Sequence, residues 1–439
     1  MAGQGETYSF EPYWWEAAPR EPRTEVPLPS RCDVAIIGSG YAGLAAALVL
    51  ARAGRAVTVL EAGPPGDGGS SRSGGMVGHG HRLSYTKLID RFGAAKAQAL
   101  VREGVGSLDY LKSLVADEGL DAGLQVSGRL RGAWTAEDFV SMERDARALQ
   151  RDLGMPIDVL SKADVREEIA ADCYQGGLLF HAHGGVHPAL FHSSLLKAAR
   201  AAGVTVVPYN PVTGVRREGG SEGWTVATAR GPVAAREVVA TTNAYTGRAT
   251  PVFACRLVPI PSFMIATAPM GRERVSSLIR NGRMIVETRE KHLYYRPSPD
   301  GTRIVLGGRA ALHPIPLDDA GRRLTKELRA IFPSISDVPV THVWTGNVAM
   351  TRSDLPGIGQ RNGLWHALGC NGSGVALMPY LGHKVALQLL GRPEGRTAFD
   401  DIPFTAVPFY NGNAWFRPFM TWAFRARDWW HERQARNAT

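Results

Sequence analysis

The hydrophobic pattern switches period sharply near the start of the chain. Val34 to Ile37 is an unbroken apolar run, the pattern of a strand buried on both faces. Leu44 to Ala53 is an Ala- and Leu-rich stretch with the density of a buried helix, and Val57 and Val59 then alternate up to Glu61. Together these predict strand, helix, strand. Residues 86–170 carry apolar positions at three- and four-residue spacing and read as mostly helical. Near residue 185, GGVHPALFHSSLLKAARAAGVTVVPYNPV predicts a turn, a helix and a strand, with His187-Pro188 at the helix start, where proline is tolerated. Glu237 to Tyr245 is a buried strand running into a loop. His292 to Gly308 alternates about Asp300-Gly301 and predicts a β-hairpin. From Val343 the chain gives a strand, a glycine loop at 369–375 and an apolar helix.

Strand-helix elements thus fall in separated blocks. The expected architecture is α/β: a discontinuous Rossmann-like nucleotide domain from residues 1–90, 175–250 and 343–395, and a substrate domain with an antiparallel sheet from residues 91–174 and 251–342. Residues 396–439 form a C-terminal segment whose NAWFRPFMTWAFRARDWWHERQAR run predicts a basic, Trp-rich helix. That helix docks on the protein's own core or, alternatively, on a membrane surface.

The turn between the first strand and helix carries chemistry. Gly38, Gly40 and Gly43 make GxGxxG. Gly38 allows the tight turn, Gly40 lets backbone approach a pyrophosphate, and Gly43 lets the helix pack on the strand. The helix N-terminus offers N–H groups and a positive dipole end. Glu61 falls where a carboxylate can hold ribose hydroxyls. The motif alone is weak evidence; its strand-helix-strand setting makes it a dinucleotide site.

Composition narrows the class. The 439 residues are 44% hydrophobic and 21% charged, a soluble globular balance. No stretch approaches the roughly 18 apolar residues of a membrane span, and the N-terminus lacks a signal-peptide core. A cytoplasmic protein with no metal site is expected, because Cys32, Cys173, Cys255 and Cys370 form no CxxC pair. The net charge of +9 suits a basic field for an anionic substrate or membrane. It shows no basic stripe for nucleic acid, so an FAD-dependent RNA-modification protein is a remote alternative.

Two further glycine loops choose the dinucleotide. In Gly68 to Gly75, GGSSRSGG, Ser70 and Ser73 can donate to a diphosphate and Arg72 can add a charge-assisted contact. Gly369 to Val375, GCNGSGV, opens a helix whose N–H groups suit the negative pyrimidine side of a reduced flavin. With no second GxGxxG unit, these loops favour FAD over NAD(P), with the organic substrate as reductant.

The set GSGYAG, LEAG, GGSSRSGGM, GGVHP, VVATTNAY, LYYR, LGGR, WTGN and GCNGSGVAL resembles the FAD-dependent amine oxidases of the D-amino-acid oxidase superfamily, and the gamma-glutamylputrescine oxidases most. The resemblance implies a glutathione-reductase-like FAD fold. It implies oxidation of an amine C–N bond to an imine, hydrolysed to aldehyde and ammonia, with oxygen reduced to peroxide. It places Gly38, Gly40, Gly43, Glu61, Ser70, Arg72, Ser73, Gly74, Val212, Asn371, Gly372, Gly374 and Val375 at FAD, Val212 through its backbone at the adenine. The same segments add Tyr41, Ala42, Ala62, Gly69, Ser71, Gly75, Met76, Thr241, Asn243 and Ser373.

Departures from the family pattern are informative. Sarcosine-oxidase-like relatives attach the flavin to a cysteine, but the matching stretch here, Asn347 to Thr351, has none; where other relatives use histidine, Ser73 stands. Non-covalent FAD is expected. Met76 and Leu377 replace the cations that clamp a small carboxylate, which disfavours short N-methyl amino acids. The alternative is an N-methyl or D-amino-acid oxidase or a quinone-linked dehydrogenase. Candidates to line the site are His79, with His81 behind it, as orienter or proton acceptor. One of Tyr294 and Tyr295 lies over the flavin, with the other in the core. Arg309, or Arg296, meets a distal carboxylate, Trp344 walls the cavity, and Cys370 is an apolar filler.

Overall fold

The computed structural model describes residues 8–217 and 223–412. Two large sheets organise them. In the first, Arg31–Ile37 is central because its last four residues are buried on both faces. It pairs in parallel with Val57–Leu60 on one side and Gly231–Ala240 on the other. Thr205–Val207 extends one edge, and Leu364–Leu368 followed by antiparallel Gly357–Arg361 extends the other. Val212–Arg217 and Trp224–Thr228 form an antiparallel extension from Gly231–Ala240.

Two apolar helices cover this sheet together. Tyr41–Arg52 follows the glycine turn and Gly374–Leu389 follows the glycine loop at 369–375. They cross so closely that a Cβ on Gly382 would lie 2.1 Å from the Ala42 carbonyl oxygen. Neither helix has a side-chain cap at its N-terminus.

The second sheet has the order Val340–Met350, Val258–Thr267, Ile304–Gly308, Tyr294–Pro297, Met284–Glu287, Arg129–Ala133, Gly176–Phe180, Ile157–Ser161. The expected hairpin is Tyr294–Pro297 against Ile304–Gly308, with Gly301 at φ +72° in its turn. One face carries Leu130, Ile285, Tyr295 and Leu306 into a core with helix Leu317–Ile331. The opposite face turns toward the first domain. Tyr294 packs there with Trp14, Met264, Val305 and Trp344.

The structure corrects several boundaries. The second sheet is mixed, because Met284–Glu287 runs parallel to Arg129–Ala133. Gly176–Phe180 and Val340–Met350 pair in this sheet, although sequence placed 175–250 and most of that second strand in the nucleotide domain. Helix Ala94–Asp117, expected in the substrate domain, packs on Gly374–Leu389 in the first core. Within 86–170, strands Arg129–Ala133 and Ile157–Ser161 interrupt the helices. Periodicity identifies an element but not which of two cores its apolar face joins. The Trp-rich helix expected over Asn413 to Arg436 lies outside the described residues. Among the described residues no helix is long and apolar enough to cross a membrane.

Candidate active site

A cleft of about 430 Å³ opens where the first strands of the nucleotide sheet end. Gly38, with φ +101°, turns the chain out of Arg31–Ile37. Thr241 clamps that turn, its hydroxyl donating to the Ile37 carbonyl at 2.8 Å. Gly43 sits behind the turn, where a Cβ would fall 2.0 Å from the Gly38 carbonyl oxygen, so only glycine lets the helix start this close. Gly40 faces the cleft, and a Cβ there would meet the Ser70 hydroxyl at 3.0 Å. Ser70 Oγ accepts from Tyr41 N at 3.1 Å, tying the second glycine loop to the helix start.

Glu61 stands at the end of Val57–Leu60, on the cleft wall. Its Oε2 accepts from Ser39 N and the Ser39 hydroxyl, both at 2.8 Å, and its Oε1 from Ala62 N at 2.7 Å. A carboxylate fixed by these donors is held in place with acceptor capacity to spare for hydroxyls. At the far end, Asn243 Oδ1 accepts from Gly369 N at 2.9 Å and so joins the loop after Gly231–Ala240 to the last glycine loop. There Gly372 has φ +94° and leads into the uncapped helix Gly374–Leu389. Two uncapped helix starts, bare glycine backbone and an anchored carboxylate line one cleft. That donor set fits the diphosphate, ribose and flavin of FAD.

The structure brings Gly38, Gly40, Tyr41, Ala42, Glu61, Ala62, Gly69, Ser70, Ser73, Val212, Thr241, Asn243, Gly372, Gly374 and Val375 to the cleft wall. Other expected residues support it from behind. Ser71 Oγ donates to the Gly66 carbonyl at 2.6 Å and accepts from Trp15 Nε1 at 3.0 Å. Asn371 is buried, donating to the Gly369 carbonyl at 2.9 Å and accepting from Thr351 N at 2.9 Å. Ser373 is the residue before helix Gly374–Leu389. Gly74 presses on the Tyr294 ring, Gly75 has φ +69°, and Met76 pairs with Gly185 in a short ladder.

Arg72 is a correction. It does not line the cleft. Its Nε donates to the Asp67 carbonyl at 2.7 Å, its Nη2 to Asp67 Oδ1 at 2.8 Å, and its guanidinium stacks 4.7 Å over Trp15. With Asp67 five residues away, Trp15 against its face and the Thr345 carbonyl 3.3 Å from Nη1, the cation is already satisfied.

The candidates for the substrate side separate in the same way. Tyr294 is half-buried, its hydroxyl 3.0 Å from Ser262 Oγ, and a Cβ on Gly74 would lie 2.7 Å from its ring. Tyr295 points into the opposite core, its hydroxyl 2.7 Å from that of Tyr174. Trp344 is fully buried beside Trp14 and donates to the Arg72 carbonyl at 2.8 Å; it is core, not cavity wall. Arg296 is 1% exposed, its Nη1 donating to the Val186 carbonyl at 2.9 Å and its Nε to the Pro297 carbonyl at 3.0 Å, so it is sealed in the interior although its Nη2 has no partner. Arg309 stays partly exposed near His292.

His79 follows the flavin loop and lies with its ring 4.2 Å from that of His183. Burial, then the charge of Arg129, pushes its pKa down to about 4, so it is neutral at physiological pH. His81 is fixed to the Leu100 carbonyl at 2.6 Å. Cys370 is buried on the cleft wall. Sequence reasoning missed Tyr245, Arg248, Thr250 and Met378, which also line the cleft. Tyr245 follows Asn243 in the same loop, so proximity to a residue already chosen could have found it.

A family model described as "DAO: FAD dependent oxidoreductase" matches residues 33–388. The chain is 29% identical over 390 residues to gamma-glutamylputrescine oxidoreductase of Escherichia coli (strain K12), covering 88% of this chain and 90% of that one. It is 28% identical over 431 residues to a probable oxidoreductase OrdL of Rhizobium meliloti (strain 1021), covering 95% and 96%. The crystal structure of glycine oxidase from Geobacillus kaustophilus superposes with a TM-score of 0.72 at 24% identity, over 86% of this chain and 99% of that one, and shows the shared fold.

Proposed function

The chain belongs to the DAO family of FAD-dependent oxidoreductases, which act on amine and amino-acid C–N donors, and we propose that it oxidises a primary amine carrying a remote carboxylate, of the gamma-glutamylputrescine kind. When bound, FAD supplies the two-electron acceptor for oxidation of the amine to an imine. Hydrolysis of the imine gives aldehyde and ammonia, and oxygen is reduced to peroxide.

One observation carries the substrate reading. At the two positions where the resemblance to sarcosine-oxidase-like relatives implies a cation for a short carboxylate stand Met76 and the buried Leu377. Arg309, partly exposed, directly follows the hairpin strand Ile304–Gly308. An amine whose acid lies many bonds away matches this arrangement, whereas sarcosine or D-alanine does not. The similarity to the Escherichia coli oxidoreductase over most of both chains supports the same choice.

The protein's own groups have three tasks in this reading. Tyr294, pinned between Ser262 and Gly74, provides a rigid wall that orients the amine. Desolvation beside the buried sheet face favours the neutral amine, whose lone pair drives the oxidation. His79, neutral with a pKa of about 4, presents a hydrogen-bonding partner without adding a repelling charge.

The test is a panel of gamma-glutamylputrescine, putrescine, sarcosine and D-alanine, read by peroxide release. The expected order puts gamma-glutamylputrescine at least about tenfold ahead in kcat/KM, or about 1.4 kcal/mol. A lead for sarcosine or D-alanine would overturn the substrate and leave the flavoenzyme intact.

A further inference from the structure

We propose that Arg129 and Arg131, on the strand Arg129–Ala133, bind the substrate carboxylate remote from the reacting amine. The inference rests on the amine-oxidation reading and locates the acid-binding end of that site.

Register carries the argument. Leu130 points into the core with helix Leu317–Ile331, so strand alternation turns Arg129 and Arg131 to the opposite face. Val286 is paired with Arg131 on one side and with Tyr294 on the other. Arg131 and Tyr294 therefore share one cross-strand row, two strand spacings or roughly 10 Å apart. Tyr294 is the residue that presses on Gly74 of the cofactor loop. Arg129 reaches the same loop farther along: its Nη1 lies 3.0 Å from where a Cβ on Gly78 would be. Both guanidinium groups thus face the space between the sheet and the segment that leaves the cofactor cleft.

The charges there are unbalanced. Among the described residues neither Arg129 nor Arg131 has a carboxylate at ion-pair distance, and Arg129 Nε is buried without a hydrogen-bond partner. Asp138 and Asp145 attract Arg131 from a distance. Asp138 is engaged by Thr288 Oγ1 at 2.7 Å and Asp145 by Thr86 N at 2.8 Å. Burial and the neighbouring Arg131 lower Arg129 only to about 10, so it stays charged at neutral pH.

His292 senses the same field. It keeps solvent-accessible surface, yet desolvation, followed by Arg309, Arg82, Arg131 and Arg129, pushes its pKa down to about 3. His292 therefore lies within the combined field of these guanidinium groups. Arg82 is already paired with Asp354 at 2.9 Å. Arg129 and Arg131 are not, and two guanidinium groups present the forked donors that a carboxylate accepts in pairs. An α-carboxylate lies one bond from the reacting carbon and cannot span roughly 10 Å from the Tyr294 wall. A carboxylate on a long chain can.

The experiment titrates glutarate, an acid without an amine, into FAD-loaded wild-type, Arg131→Gln and Arg129→Gln proteins and follows it by calorimetry. Expected is a weakening of glutarate binding by at least tenfold in each variant. The ratio of kcat/KM for gamma-glutamylputrescine over putrescine should fall by at least tenfold as well, and Arg131→Lys should recover part of both. Flavin content and melting temperature report whether each variant has folded; if one has not, the other decides. Unchanged glutarate affinity in a folded variant, or an unchanged substrate ratio, overturns the proposal. If wild type oxidises no amine, the enzymatic reading fails separately, and the glutarate titration alone then decides the anion site.

Discussion

At the scale of single residues, Arg72 shows how a motif and its geometry can part. A cation in GGSSRSGG reads as a phosphate ligand, because a guanidinium makes charge-assisted hydrogen bonds to phosphate oxygens. Here Asp67 is nearer, and Trp15 offers its ring face. Arg72→Ala is therefore expected to lower stability by about 1–2 kcal/mol through the lost hydrogen bonds and cation–π contact. FAD affinity should change by less than about tenfold, the loop remaining tied by Ser70 and Ser71. Thermal melts and flavin-fluorescence titration measure the two effects; a hundredfold loss of FAD affinity with an unmoved melting temperature would return Arg72 to the diphosphate. Gly43 gives the opposite case, where motif and geometry agree. A Cβ there meets backbone at 2.0 Å and the Thr241 hydroxyl at 2.8 Å, and backbone cannot step aside as a side chain can. Gly43→Ala should cost about 1–3 kcal/mol by overpacking and leave the purified protein short of flavin. Full occupancy in the absorbance ratio would show that the helix can retreat.

At the scale of elements, a histidine holds the start of helix Pro188–Ala201. His187 is buried, and its Nδ1 accepts from Leu190 N at 3.2 Å. Burial, followed by the charge of Arg296, lowers its pKa to about 4. In the unfolded chain the ordinary value near 6.5 returns. The unfolded state thus binds more protons between those values, so this contribution to stability is present above about pH 6.5 and is lost as pH falls toward 4. The full effect is on the order of 3 kcal/mol. His187→Asn keeps a capping acceptor that does not titrate, and its melting temperature should fall less steeply than wild type over that window; parallel curves would remove His187 from the acid response. This helix start was legible in the sequence, as was the first strand-helix-strand unit, because both are fixed by contacts within a few residues. The second sheet was not. Its order depends on pairings between segments more than a hundred residues apart, such as Met284 with Arg129. The alternation Arg129-Leu130-Arg131 was a strand signal in plain view, but it lay between long helical stretches and was absorbed into them.

At the scale of the whole molecule, the cleft is a junction. Its walls come from all three glycine segments of the first domain and, through Asn347 and Val348, from strand Val340–Met350 of the second sheet. A cofactor held there touches both sheets at once, so its binding energy becomes stability of the assembled protein. Cys370 belongs to the last glycine loop and is buried on the cleft wall, and at the family's attachment positions neither Asn347 to Thr351 nor Ser73 offers a thiol or imidazole. A non-covalent flavin exchanges with solution and obeys mass action. Acid precipitation should release yellow FAD into the supernatant. Protein stripped of flavin by dialysis against chaotrope should melt lower than holoenzyme and regain stability as FAD is added. The gain should grow with the logarithm of free FAD, reaching about 2.7 kcal/mol at a hundredfold excess over Kd. A covalently held flavin would stay with the precipitate and give a melting temperature indifferent to added FAD, and either result would refute non-covalent attachment.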